Sequence, residues 1–224
     1  MRKKHLEIEL EQEKLWLLPE KAIFFPAHGT LLVSDLHLGK GGHFRKHGIA
    51  IPGEVHKQDL QRLKGLIDDY QPSRLVFLGD LFHSRYNQEW ESFQQLMNGY
   101  KLEKILVQGN HDVLGEDRYQ KAQLQVVEAS YKLGRFVLQH EPSEAGIDTT
   151  HGYELAGHLH PGVRLQGPGR QKLRLPCFYF APSHGVLPAF GQFTGLYCLE
   201  PSEGDRVYVV VNDQVVGVHP SPRS

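Results

Sequence analysis

Cysteine is nearly absent: Cys177 and Cys198 are the only two in 224 residues, and no C-x-x-C pair occurs. That excludes a disulfide framework and thiolate zinc or redox sites, and it suits a reducing compartment. No apolar run reaches the roughly 18 residues of a membrane span. The basic start, MRKKHLEIELEQEK, has no apolar h-region of a secretory leader. The expectation is a soluble, cytoplasmic chain with no membrane partner. Excess charge of either sign is missing too. Lys and Arg number 25 against 26 Asp and Glu, a formal net charge of −1, so no global field attracts nucleic acid or an anionic membrane. Hydrophobic residues at 40% and charged residues at 23% are ordinary globular usage, which removes disordered and fibrous classes. No repeat or Gly/Ser/Pro-rich linker divides the chain. Residues 1–224 therefore read as one domain with a sizeable core and a loose tail from about 219.

Histidine is what the chain has in plenty, with 14 residues, and such an excess invites metal or proton-transfer chemistry. Three short apolar runs, Leu31-Leu32-Val33, Leu75-Val76-Phe77-Leu78 and Ile105-Leu106-Val107, read as parallel strands buried on both faces. Leu60, Leu63, Leu66, Ile67 and Tyr70 at helical spacing, and a second helix over 89–97 before Asn98-Gly99, connect them as β-α-β-α-β. Polar-apolar strands precede this unit at 6–10, 14–17 and 22–25. After about Glu116 the texture becomes short strands with turn punctuation: 136–139, 153–156, 163–165, Leu173, 178–180, 196–199, and the pair 207–211 and 215–218 around Asn212-Asp213. A parallel half followed by a mostly antiparallel half predicts two sheets packed face to face with helices outside.

Ligand-type residues follow the apolar runs directly: Asp35-Leu36-His37, Gly79-Asp80 and Gly109-Asn110-His111-Asp112. The carboxyl ends of parallel strands share one edge, where α/β proteins build their sites. In the second half, His140 ends one strand, and Gly157-His158-Leu159-His160 ends another. Alternate residues of an extended segment face the same way, so Asp35 with His37, and His158 with His160, can each aim at one point. This O and N donor set suits Mn, Fe, Zn or Mg rather than copper(I) or clusters.

The blocks VSDLHLG, FLGDLFH, VQGNHD, His140 and AGHLHP, in that order from Val33 to Pro161, resemble the calcineurin-like metallophosphoesterases. The resemblance implies a four-layer α/β/β/α sandwich of two mixed sheets with two divalent metal ions, manganese first, with iron, zinc or magnesium as alternatives. One ion would take Asp35, His37 and His160; the other Asn110, His140 and His158, with Asp80 bridging. His111 matches the catalytic histidine, and Asp112 is placed to orient its imidazole. DLHLGKGGHFRKHGIAIP (35–52) and LPCFYFAPSHGVLPAFGQFTG (175–195) are similar to the bacterial ligase-associated DNA damage response endonucleases of the PdeM subfamily. That likeness implies phosphodiester hydrolysis in DNA repair, with a DNA ligase, a helicase and an exonuclease-like protein as associated partners. A nucleotide or small-molecule phosphodiesterase or phosphatase is the second enzyme reading. A non-catalytic scaffold on the same fold is a third, against which the complete ligand set counts.

Other residues weigh less. Lys40, Arg45 and Lys46 sit in a glycine-rich loop that is no P-loop, since G-x-x-x-x-G-K-[ST] is missing. Lys40 and Arg45 are candidate phosphate contacts. His83 lies near the GD block and could line the site, and His184 is ambiguous. His28, His43, His47, His56, His151 and His219 default to the surface. Arg164, Arg170, Lys172 and Arg174 read first as a solvated hairpin, although a basic face near His160 is the alternative.

Overall fold

The computed structural model describes residues 5–39, 55–83, 88–143, 152–166, 172–192 and 194–218. Lys40, Arg45, Lys46 and Arg170 lie outside them, as does the proposed tail from 219.

Three apolar runs become the centre of the first sheet. Its strands follow chain order: β1 (Leu6–Leu10), β2 (Glu13–Leu18), β3 (Ala22–Phe25), β4 (Thr30–Ser34), β5 (Arg74–Leu78), β6 (Glu103–Val107) and β7 (Gln125–Val127). β1 to β4 form an antiparallel meander, and β4 to β7 run parallel. Parallel neighbours need crossovers, which helices α1 (Val55–Tyr70), α2 (Gln88–Asn98) and α3 (Glu116–Lys121) supply.

Alternation along the strands sends side chains to two cores. Leu31, Val33, Leu75, Phe77 and Leu106 pack against Leu63, Leu66 and Ile67 of α1 and Trp90, Phe93 and Met97 of α2. Leu32, Val76, Leu78, Ile105 and Val107 point the other way, onto Phe136, Leu138, Leu155, Phe178 and Phe180. Burial on both faces is why these strands read as continuous apolar runs rather than alternating ones.

Those partners belong to the second sheet: β8 (Ser130–Leu133), β9 (Phe136–Gln139), β10 (Tyr153–Ala156), β11 (Pro161–Gln166), β12 (Lys172–Phe180), β13 (His184–Val186), β14 (Tyr197–Cys198), β15 (Arg206–Val211) and β16 (Gln214–Val218). The order is β14-β11-β12-β13-β10-β9-β8, with β15 on β12 and β16 on β15. Its centre departs from the antiparallel expectation, because β10 pairs parallel with both β9 and β13. Leu173 and 178–180, expected as separate strands, join in the nine-residue β12. The β15–β16 turn at Asn212 and Asp213 has φ of 47° and 55°, the left-handed pair that a two-residue hairpin turn requires.

The two-sheet sandwich is present, and the three α-helices among the described residues all lie against the first sheet. Among the described residues no helix covers the outer face of the second sheet, where Val163, Cys177, Val207 and Val209 form a small core of their own. No described helix is long and apolar enough to cross a membrane.

Phe136 is fully buried between the sheets, edge-on to Phe25 at 5.3 Å. Replacing it by alanine removes that packing and leaves a cavity, so Phe136→Ala should lose about 3–5 kcal/mol. Urea denaturation of the two proteins checks this.

Candidate metal centre

Carboxyl ends of β4, β5, β6, β9 and β10 converge on one edge of the sandwich. The loops after β4 and β5 run side by side, with His37 N donating to Asp80 O at 2.9 Å and Leu38 N to Leu81 O at 3.0 Å. From the second sheet, His158 N donates to Asp35 Oδ2 at 3.0 Å.

The backbone there is unusual. Asp35, His37, Asp80, His158 and His160 all have positive φ, between 48° and 66°. Non-glycine residues avoid this region, and clusters of them occur where the surrounding structure holds a functional geometry. Glycine supplies the close approaches. A Cβ at Gly157 would collide with Ser34 Oγ and lie 2.6 Å from Asp35 Oδ2. One at Gly109 would lie 2.5 Å from Asp80 N and 3.0 Å from His140 Nε2.

Two clusters result. In the first, His37 Nε2 lies 3.1 Å from His160 Nε2, and Asp35 Oδ1 lies 3.4 Å from His160 Nε2. In the second, His140 Nε2 lies 3.4 Å from Asp80 Oδ1, and His158 Nδ1 is 3.2 Å from His140 Nε2. Donor atoms within each triad all lie within 4.8 Å of one another. Asp80 reaches both clusters, since its Oδ2 is 3.7 Å from His37 Nε2.

These residues fit divalent metals. Leu78 O can only accept, so His140 Nδ1, 3.0 Å away, carries the proton and leaves the Nε2 lone pair facing Asp80. Asp35 Oδ1 is buried beside the His160 ring, 3.4 Å from its Nε2, and a cation there would offset the cost of burying its charge. Burial works to raise the Asp35 carboxyl. Hydrogen bonding and charge from His160, the Ser34 hydroxyl and His140 outweigh it and hold the group below its usual range.

His111 stands at the open side, its side chain 47% exposed, with Nε2 4.0 Å from Asp80 Oδ2 and its backbone N–H donating to Asp80 Oδ1 at 3.1 Å. Asn110 is exposed in the same turn. Asp112 corrects the expectation. Its carboxylate accepts from the backbone N–H groups of Leu81 at 2.9 Å, Phe82 at 3.2 Å and Gly109 at 2.9 Å. With its oxygens engaged there, it ties the β5 loop to the β6 loop instead of orienting the His111 imidazole. Burial pushes the Asp112 carboxyl up to about 6, against the pull of those amides. The ring beside His111 is His83, at a centroid distance of 3.9 Å. Sequence undervalued it because a histidine three residues beyond a GD block has no alternation to place it. His184 sits in β13 opposite Glu154, away from this edge.

The sequence profile of the calcineurin-like phosphoesterases matches residues 29–185. The chain belongs to the calcineurin-like phosphoesterase family. As members of that dimetal-dependent family do, it hydrolyses phosphoesters with metal ions. Among solved structures it is similar to the Pseudomonas putida nuclease MPE, with 34% identity over 96% of this chain and 100% of that one and a TM-score of 0.80. The E. coli phosphoesterase Yfce aligns at 13% identity over 84% and 97% of the two chains with a TM-score of 0.43. An Aquifex aeolicus protein of unknown function aligns at 18% over 63% and 82% with 0.41. At those values neither adds to the family assignment. No curated protein sequence matches.

Gly157→Ala tests the crowding. Its methyl group would push Ser34 and Asp35 apart, so metal affinity should fall by about 10–100-fold, the range for mutations of groups that support ligands. Isothermal titration with Mn2+ reads the change.

Proposed function

We propose that this phosphoesterase cleaves phosphodiesters through a dinuclear centre and acts as a nuclease in DNA repair. The observation that carries the dinuclear reading is Asp80, whose two oxygens face one histidine of each cluster, His37 and His140. Asp35, His37 and His160 would hold one ion. His140 and His158 would hold the other, joined by Asn110, and Asp80 would bridge. Similarity to a nuclease over nearly the whole chain supports the substrate class. The associated ligase, helicase and exonuclease-like partners rest on the subfamily resemblance alone.

Two such ions would polarise phosphoryl oxygens and lower the pKa of a shared water toward neutrality. The chain's own groups do the rest. Asp80, as the bridge, would fix the spacing of the ions and offset their charge. His140, its tautomer fixed by Leu78 O, presents a lone pair without competing for a proton. His111, half exposed beside Asp80, is placed to donate a proton to the leaving alkoxide. Asp112 contributes by holding the Gly109–Asp112 turn against the β5 loop. Lys40 and Arg45 remain candidate phosphate contacts. The O and N donors, with no thiolate, suit Mn, Fe, Zn or Mg; manganese is the first choice on the family resemblance alone.

A nucleotide or small-molecule phosphodiesterase is the second reading, and the net charge of −1 favours it, because backbone affinity for DNA rests on cations. Turnover of bis-p-nitrophenyl phosphate, p-nitrophenyl phosphate and plasmid DNA across Mn2+, Fe2+, Zn2+ and Mg2+ separates the two. Activity on the diester and DNA supports the nuclease, whereas activity confined to the small esters supports the alternative. His111→Ala should retain metal while losing about 10²–10⁴-fold in turnover. Elemental analysis showing a lost ion would make His111 a ligand instead.

A further inference from the structure

Strand register carries β12 past the metal centre. Ala156, the last residue of β10, stands level with Val186 of β13, and Val186 with Tyr179 of β12. β12 runs antiparallel to β13, so its residues before Tyr179 continue beyond the edge that bears His158 and His160. Arg174 lies five positions before Tyr179, a projection of roughly 16 Å at strand rise. β11 starts directly after His160 and pairs with this projecting part: Arg164 stands opposite Arg174, and Gln166 opposite Lys172.

Parity decides which way the hairpin faces. Phe178 and Phe180 point into the core between the two sheets, so Arg174 and Lys172, an even number of residues away, continue that inner face. Arg164 shares it through its register with Arg174. Leu165, Leu175 and Cys177 take the other face, where they pack with Val163, Val207 and Val209. The basic side chains therefore look back across the carboxyl edge, toward the side occupied by the Asp35 and Asp80 loops.

All three cations are exposed, and among the described residues none forms an ion pair with a carboxylate. Like charges directly opposite in a ladder are destabilising. Arg174 is nevertheless held in place, its guanidinium donating to Leu196 O at 2.7 Å and to Cys198 Sγ at 3.3 Å. One arginine held in place, with a second directly opposite it and neither paired with a carboxylate, is complementary to a row of phosphates.

We propose that the inner face of the β11–β12 hairpin, through Arg164, Lys172 and Arg174, is a track for the phosphate backbone of a nucleic-acid strand leading away from the scissile bond. This rests on the phosphodiesterase reading above and extends it. A mononucleotide or small ester, held at the metal centre alone, has no phosphates to reach the hairpin. The chain's neutral overall charge is then no obstacle, because the cations that matter are gathered on one face.

The test uses the full chain loaded with Mn2+, a fluorescein-labelled single-stranded DNA oligonucleotide and bis-p-nitrophenyl phosphate. In the Arg164→Gln, Lys172→Gln double variant, KM for the oligonucleotide should rise several-fold. The slope of log affinity against log salt should fall by roughly 0.7 for each phosphate that the variant no longer neutralises. Turnover of the small diester should stay at the wild-type value, and Arg164→Lys with Lys172→Arg should restore oligonucleotide binding. An unchanged salt slope and KM, with the wild type cleaving both substrates, would overturn the track while leaving the phosphodiesterase reading intact. Equal losses on both substrates would also overturn it, because the hairpin would then shape the metal centre. A wild type that cleaves neither diester would defeat the phosphodiesterase reading itself, and the track with it.

Discussion

Everything at the carboxyl edge depends on holding lone pairs of like character within a few ångströms of one another. His37 and His160 present nitrogens 3.1 Å apart, and His140 and His158 do so at 3.2 Å, beside carboxylates buried almost completely at Asp35 and Asp80. Left to itself such an arrangement relaxes, because each atom prefers water or its own donor. Five of the residues involved also carry left-handed backbone, at about 1–3 kcal/mol each. A structure persists in that state only when its surroundings over-determine it, and cations at the two candidate clusters would supply the attraction that the side chains cannot give one another.

The sandwich provides the restraint. Strands β4, β5 and β6 are fixed on one face by α1 and α2 and on the other by the second sheet, so their ends cannot part. Gly79, Gly109 and Gly157 let the loops close to distances that a Cβ would forbid. Behind Asp35 runs the stretch after β13: Phe190 N donates to Ser34 O at 2.8 Å and Gly191 N to Asp35 O at 3.1 Å. Lys21 holds Ala189 O at 2.8 Å, Arg62 holds Phe190 O, and Asp59 receives Gln192 N at 3.3 Å. Burial, with Arg62 nearby, pulls the Lys21 ammonium down to about 8. The segment 175–195 is thus partly a structural brace for the Asp35 loop.

Much of this was legible in the sequence for local reasons. Strands buried on both faces write themselves as unbroken apolar runs, and the helices between them show the spacing of one buried face, so 89–97 differs from Gln88–Asn98 by single residues. Candidate ligand pairs two apart, Asp35 with His37 and His158 with His160, do meet at one edge, but through left-handed backbone rather than the extended alternation that suggested it. What escaped was whatever depends on partners far along the chain. The three-residue strands β7 and β13, together with β8, have too few residues to show a period. Asp112 beside His111 suggested a local pair, but its carboxylate is used by amides 30 residues upstream. The direction faced by Arg164 and Arg174 followed from register across β10, β13 and β12, which no single segment encodes.

The central claim is that two ions share one carboxylate. Metal content per chain after dialysis against Mn2+, measured by elemental analysis for the wild type and for Asp80→Asn, addresses it directly. The account predicts two ions in the wild type and a deficit in the variant, since the amide removes both the bridge and its charge. Two ions retained by Asp80→Asn, or a wild type that holds only one, would contradict it.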